Sequence, residues 1–275
     1  MSNLTIQKLT PNTGAEIGGI DLREPTDPAV QDEILAALFE HHVLFFRNQD
    51  ITPDQQIAFA KQFGPVSIGP FAPKYSSNPE LAVLDQSSPK GDGADAWHHD
   101  NTFMAEPPMA SILKAVKIPE VGGDTLWANM EAAYEALSPA IRHLVDGLSA
   151  VHDVTKPLMR GIASGHTDVK LEEVQAKWPP VTHPVVLAHP VTGRKSLYVS
   201  RNSTTHIVGL TERENEALLP MLTDHVRSPE FQCRFMWDTT SVAFWDNRSA
   251  QHFAVPDYSS RRIMNRVTIQ GEKPL

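Results

Sequence analysis

The sequence predicts a mainly β fold with helical insertions, a jelly roll in architecture. Two observations carry that expectation. From about residue 80 the chain breaks into short runs rich in β-branched and aromatic residues, at 81–85, 96–100, 110–116, 124–128, 183–188, 196–200, 232–237, 241–245 and 263–269. The 22 prolines and 15 glycines are scattered between such runs instead of gathering in a linker, as suits many strands joined by turns. With no internal repeat and no low-complexity stretch, residues 1–275 read as one domain.

The remaining elements follow in order. Residues 14–22 read as a short strand with a turn. Asp27-Pro28 opens a helix, because aspartate can cap and proline fits the first helical position; Val30, Ile34, Leu35 and Leu38 form its apolar stripe. Val43-Leu44-Phe45-Phe46 is a buried strand. Thr52-Pro53-Asp54-Gln55 is a capping box whose helix runs to Gly64. Helices follow at about 129–146, restarted by Ser138-Pro139, and at 212–226, opened by the box Thr211 to Glu214. The stretch 153–182 has weak periodicity and reads as an irregular insertion, a lid over a site or a surface loop.

Composition excludes several classes. The formal net charge of −9 argues against a nucleic-acid partner, which needs a basic stripe. No run of 18 apolar residues exists, so no membrane span is expected. The single cysteine, Cys233, cannot form an intramolecular disulfide, and the first residues lack a basic segment followed by an apolar run. A cytoplasmic enzyme is the expectation.

The segment Trp97-His98-His99-Asp100-Asn101 carries the chemistry. On a strand, residues i and i+2 face one side, so His98 and Asp100 point together and His99 points away. A second histidine completes a facial triad that leaves positions open on Fe(II), the arrangement an oxygenase needs for O2. His252, after the apolar run Ser241 to Trp245 and the turn-forming Asp246-Asn247, is the best third ligand. His166-Thr167-Asp168 repeats the spacing without an apolar strand to support it, and is set aside. His41, His42, His143, His183, His189 and His225 read as structural or surface residues. A zinc hydrolase on the same triad is an alternative from these residues alone.

Arg262, Met264 and Arg266 alternate in the last apolar run, so both arginines face one interior. Buried guanidinium groups require anions, and their planar fork suits carboxylates. Thr125, after the Gly122-Gly123 turn, is placed to share a carboxylate with Arg262.

Together these motifs resemble the taurine and 2,4-dichlorophenoxyacetate dioxygenases, the alpha-ketoglutarate-dependent family that includes alkylsulfatases. The resemblance runs from Gly14-Ala15-Glu16-Ile17 through Trp97-His98-His99-Asp100, Gly122 to Trp127 and His183-Pro184, to Trp245-Asp246-Asn247-Arg248, His252 and Arg262 to Arg266. It implies a double-stranded β-helix and a homo-oligomer, dimer or tetramer. It implies Fe(II) on His98, Asp100 and His252, and 2-oxoglutarate on Thr125 and Arg262. Arg266 then holds the anionic head of a small organic substrate, which is hydroxylated as 2-oxoglutarate becomes succinate and CO2. Asp100 favours hydroxylation over halogenation, which needs that carboxylate replaced by a small residue. The chain departs from the taurine-specific pattern at the substrate positions Gly69, Asn101 and Ser203, and at Ala94 or Asp95. A bulkier sulfonate, alkyl sulfate or aryloxy acid is therefore expected, with taurine itself the alternative.

Overall fold

The computed structural model describes residues 3–68, 78–87, 89, 94–163 and 169–274. Gly69, His166 and Asp168 lie outside these. The first half comprises β1 (Thr5–Lys8), β2 (Ala15–Gly18), α1 (Pro28–His41), β3 (Val43–Phe46), α2 (Pro53–Lys61), β4 (Ala82–Gln86), β5 (Ala110–Lys117) and β6 (Thr125–Asn129). Next come α3 (Met130–Glu135), α4 (Pro139–Val145), β7 (Ser149–His152), α5 (Thr155–Ala163), α6 (Leu171–Lys177), β8 (Val181–Pro184), β9 (Val186–Ala188), β10 (Lys195–Leu197) and β11 (Thr204–Ile207). The chain ends with α7 (Glu212–His225), β12 (Gln232–Phe235), β13 (Val242–Asp246), β14 (Ala250–Ala254) and β15 (Arg262–Ile269).

Seven strands form the largest sheet in the order β1-β2-β3-β13-β5-β15-β4. A three-stranded sheet, β12-β6-β14, packs against its inner face. Strand alternation explains why β3 reads as an unbroken apolar run. Val43 and Phe45 enter the core between the two sheets, with Trp127, Phe235, Trp245 and Met264. Leu44 and Phe46 enter the outer core, under Ile34 and Leu38 of α1 and Ile57 and Phe59 of α2. β13 divides the same way, Ala243 and Trp245 inward, Val242 and Phe244 outward. A third core covers the back of the small sheet with side chains of α3, α4 and α7. The site lies at the middle of β14, an edge strand of the small sheet.

Both capping boxes form: Thr52 with Gln55 and Thr211 with Glu214. Asp27 precedes Pro28 but its side chain makes no cap hydrogen bond. The second helix stops at Lys61, before Gly64, whose φ is +152°.

Two expectations are corrected. Residues 96–100 are not a strand; they make one isolated antiparallel bridge, His98 to His252. The chain bends away because the Asp100 N–H donates to the Asn247 side chain at 2.6 Å, and Asn101 turns into the left-handed region at φ +52°. His252 follows the turn at 247–249 as expected, as the third residue of β14. The stretch 153–182 contains two helices, α5 and α6, whose Leu158 and Val174 close a small core with Phe103 and Trp178. Proline and glycine in α5 and the brevity of α6 hide their periodicity.

Candidate metal centre

β14 places His252 at the edge of the small sheet, and the backbone of His98 runs beside it. The His98 N–H donates to the His252 carbonyl at 3.2 Å and the His252 N–H to the His98 carbonyl at 2.9 Å. This reciprocal pair sets the imidazole rings side by side, tilted by 46° with centroids 4.1 Å apart. Asp100 Oδ1 stands 3.8 Å from Nε2 of His98 and 3.8 Å from Nε2 of His252. One ligand atom from each residue lies within 4.8 Å of the others, the only such group among the described residues.

The surroundings prepare these atoms to bind a cation. All three residues are buried, at 8%, 3% and 7% exposure in chain order. His98 Nδ1 pairs with the Ala96 carbonyl at 2.7 Å; it must donate there, which leaves the Nε2 lone pair for the site. Burial, foremost, depresses the His252 imidazole far below its ordinary value, so it stays neutral. Burial would push the Asp100 carboxyl up, but Arg266, His252 and His98 outweigh it and hold the group at about 2. Two imidazoles and one carboxylate match the ligand set of a divalent metal. Ser111 Oγ donates to Asp100 Oδ2 at 2.9 Å, and Arg266 Nη1 to Oδ1 at 2.9 Å. Asn247 fastens the backbone on both sides, accepting from Asp100 N and donating to the Asp100 and Pro108 carbonyls.

Both arginines of β15 reach into the interior. Arg262, 6% exposed, donates from Nε to the Gly123 carbonyl at 3.0 Å and from Nη2 to Thr125 Oγ1 at 3.3 Å. Trp237 Nε1 donates to the same Thr125 oxygen at 3.0 Å. With two donors on its lone pairs, the Thr125 hydroxyl has only its proton left to offer a ligand. Sequence reasoning missed Trp237, Ser111 and Asn247. Ser111 sits in ordinary strand sequence and Trp237 just past the end of β12, whereas Asn247 carried a signal in the Asp-Asn turn that was read as local.

The remaining site residues are less gathered. Asn101 is half-buried beside Asp100. Ser203 is buried against the start of the α5 segment: its carbonyl accepts from Asp153 N at 2.9 Å. Neither makes a hydrogen bond to Asp100 or Arg266. The Ala94 carbonyl accepts from Ala254 N at 2.9 Å, so this stretch runs along β14. The other histidines do structural work: His42 pairs with Ser249, His183 with the Thr102 and Met104 carbonyls, His189 with Asp246, and His225 with the Ala133 carbonyl. His99 turns away from Asp100 and packs on the Tyr198 ring at 4.7 Å.

A family profile described as "Taurine catabolism dioxygenase TauD, TfdA family" matches residues 5–268. The chain belongs to the TauD/TfdA family. Among TauD/TfdA relatives it is 39% identical to an alkylsulfatase of Acinetobacter baylyi, over 98% of this chain and 86% of that one. It is 38% identical to an alpha-ketoglutarate-dependent sulfate ester dioxygenase of Pseudomonas putida, over 99% and 91%. The solved structure of a taurine dioxygenase from Burkholderia xenovorans matches with a TM-score of 0.85 at 39% identity, over 99% of this chain and 91% of that chain. Like those relatives, this TauD/TfdA chain is a 2-oxoglutarate-dependent non-haem iron dioxygenase. Among the described residues no helix is long and apolar enough to cross a membrane.

Proposed function

We propose that this dioxygenase hydroxylates a small organic anion, with alkyl sulfates the favoured class, using His98, Asp100 and His252 to hold Fe(II). The observation that carries the reading is Arg266, a guanidinium 2.9 Å from Asp100 with one edge free of hydrogen bonds to the described residues. A cation beside the metal ligands favours an anionic substrate. The names of the sulfate ester relatives favour sulfate over the alternatives, aryloxy acids and sulfonates, taurine included. A zinc hydrolase on this triad is disfavoured because it leaves Arg262, Thr125 and Trp237 without a role.

Bound to the triad with 2-oxoglutarate and O2, Fe(II) supplies the oxidising power: 2-oxoglutarate becomes succinate and CO2, and a substrate C–H becomes C–OH. The chain's residues do the rest. Arg262 meets the distal carboxylate of 2-oxoglutarate with a charge-assisted pair, and Thr125 donates its hydroxyl proton to the same group. Arg266 anchors the substrate anion so that a neighbouring carbon faces the triad. Asn101 and Ser203 line the substrate side in this reading. When the hydroxylated carbon carries a sulfate ester oxygen, the product collapses to an aldehyde and inorganic sulfate.

The two facing sheets are read here as a double-stranded β-helix forming one domain, and α5 with α6 as its lid. Docking of Phe103, three residues past Asp100, against Leu158 and Val174 supports that reading of the lid. A cytoplasmic homo-oligomer is part of the proposal, supported by the lone buried Cys233 and by family resemblance; light scattering tests the assembly.

The test is a screen for substrate-dependent succinate over alkyl sulfates, sulfonates, phenoxy acids and taurine. A larger anion is expected to turn over much faster than taurine, and Arg266→Leu to abolish the stimulation while leaving 2-oxoglutarate binding nearly intact. Taurine as the best substrate, or normal turnover by the variant, contradicts this pocket.

A further inference from the structure

We infer that Arg266 couples the substrate anion to the metal ligand. Its Nη1 holds Asp100 while its Nε–Nη2 edge takes two oxygens of the anion, so that anion and metal each strengthen the other's binding. The inference rests on the assignment of Arg266 to the substrate anion and adds a second task to that residue.

The geometry singles out one oxygen. Asp100 Oδ1 is the atom 3.8 Å from both imidazole Nε2 atoms, and it is also the atom Arg266 Nη1 holds at 2.9 Å. Asp100 Oδ2 is occupied separately, by Ser111. A divalent cation ligated by Oδ1 must therefore share its lone pairs with a guanidinium and feel that charge at close range, in a site where screening is weak. Arg266 is the one guanidinium held against Asp100 among the described residues; the other groups there are two imidazoles and the Ser111 hydroxyl.

The opposite edge of Arg266 is built to relieve this. Arg23, Arg248 and Arg261 all grip a carboxylate with the Nε–Nη2 pair, the bidentate edge of the guanidinium. In Arg266 that edge bonds to no described residue, and its Nε is buried without a partner. An unpaired buried donor is costly unless a ligand meets it. The side chain keeps 21% of its surface open, so an incoming group can reach it. A carboxylate, sulfonate or sulfate presents two oxygens to that edge. Its charge offsets the guanidinium and weakens the repulsion at Oδ1. By linkage, metal bound at Oδ1 then tightens the anion by the same factor. A lysine supplies charge as a single point and cannot hold both partners in this way.

The test measures Mn(II) dissociation constants from free Mn(II) in electron paramagnetic resonance titrations. Wild type, Arg266→Gln and Arg266→Lys are compared with and without hexyl sulfate, hexanesulfonate or phenoxyacetate. Without an anion, Arg266→Gln is expected to bind Mn(II) about ten-fold more tightly than wild type, the effect of removing one close cation. At least one anion should tighten Mn(II) on wild type and leave Arg266→Gln unmoved. Arg266→Lys should keep the weaker Mn(II) affinity and lose the anion response. Mn(II) affinity unchanged or weaker in Arg266→Gln overturns the coupling, the weaker outcome marking Arg266 as a mere support for Asp100. A wild type that responds to none of the three anions also overturns it. The underlying assignment is judged separately: if Arg266→Gln loses substrate-stimulated succinate but not its wild-type Mn(II) affinity, the anchor stands and the coupling falls.

Discussion

His98 and His252 are hydrogen-bonded to each other through their backbones, each N–H on the other's carbonyl, at 3.2 and 2.9 Å. One bridge therefore sets the spacing of both imidazoles, and β14, locked to β6 from Ala250 to Ala254, sets the bridge. Of two ligands distant in sequence, His252 is held by the sheet and His98, outside any strand, is tied to it by this bridge.

Iron binding is expected to need His98 and not His166. In His98→Ala, iron occupancy and succinate formation should both collapse, whereas His166→Ala should retain both. Metal content by mass spectrometry checks this; loss in the second variant alone would reverse the assignment.

Arg262→Ala should raise the KM for 2-oxoglutarate by about two to three decades. Removing one partner of a desolvated charge pair costs roughly 3–5 kcal/mol, much of it the penalty of the carboxylate left behind. Substrate KM should change far less. An unaltered 2-oxoglutarate KM removes Arg262 from the cosubstrate site.

Trp237→Phe should weaken 2-oxoglutarate binding about three- to ten-fold, the scale of one neutral hydrogen bond. The ring stays while the donor that orients the Thr125 hydroxyl is lost. The same change made on Thr125→Val should have little further effect, and a full effect there means that Trp237 acts by packing alone. Titration with N-oxalylglycine in the Mn(II) form reads the affinity without turnover.

Acid should destabilise the fold below about pH 6.5, and His42 should carry part of it. Burial, with Arg194 adding, lowers the His42 imidazole from 6.5 to about 3. Between those values the unfolded chain binds the extra proton, so stability is full above 6.5 and falls as the pH drops toward 3. Glu131, raised by burial to about 7, runs the other way: its contribution is full below 4.5 and is lost as the pH rises through 7. Histidines lowered by burial, including His41, His99, His152 and His183, outnumber it. Urea midpoints at pH 7 and pH 4.5 should differ less in His42→Gln than in wild type; an equal drop counts against His42.

Residues that act through a local pattern were legible in the sequence. Val43 to Phe46, the two capping boxes, the run around Trp245 and the Arg262/Arg266 alternation show in short windows, and each forms as expected. His98, Asp100 and His252 were found, although for Asp100 the route was wrong: a turn fixed by Asn247, not strand alternation, aims its carboxylate. β7 and β11 were missed because each is a four-residue strand whose partner lies elsewhere in the chain, and β1 because it is exposed along its whole length and shows no apolar alternation. The Arg266–Asp100 and Trp237–Thr125 contacts join residues 166 and 112 positions apart, and nothing in a local window encodes them.

The most direct measurement of the central claim follows O2 consumption and succinate release together, with Fe(II), 2-oxoglutarate and an alkyl sulfate. One succinate per O2, dependent on the sulfate and abolished in Asp100→Ala, is the predicted result. Sulfate release that continues without O2 or 2-oxoglutarate, with zinc in place of iron, would make this site a hydrolase and contradict the account.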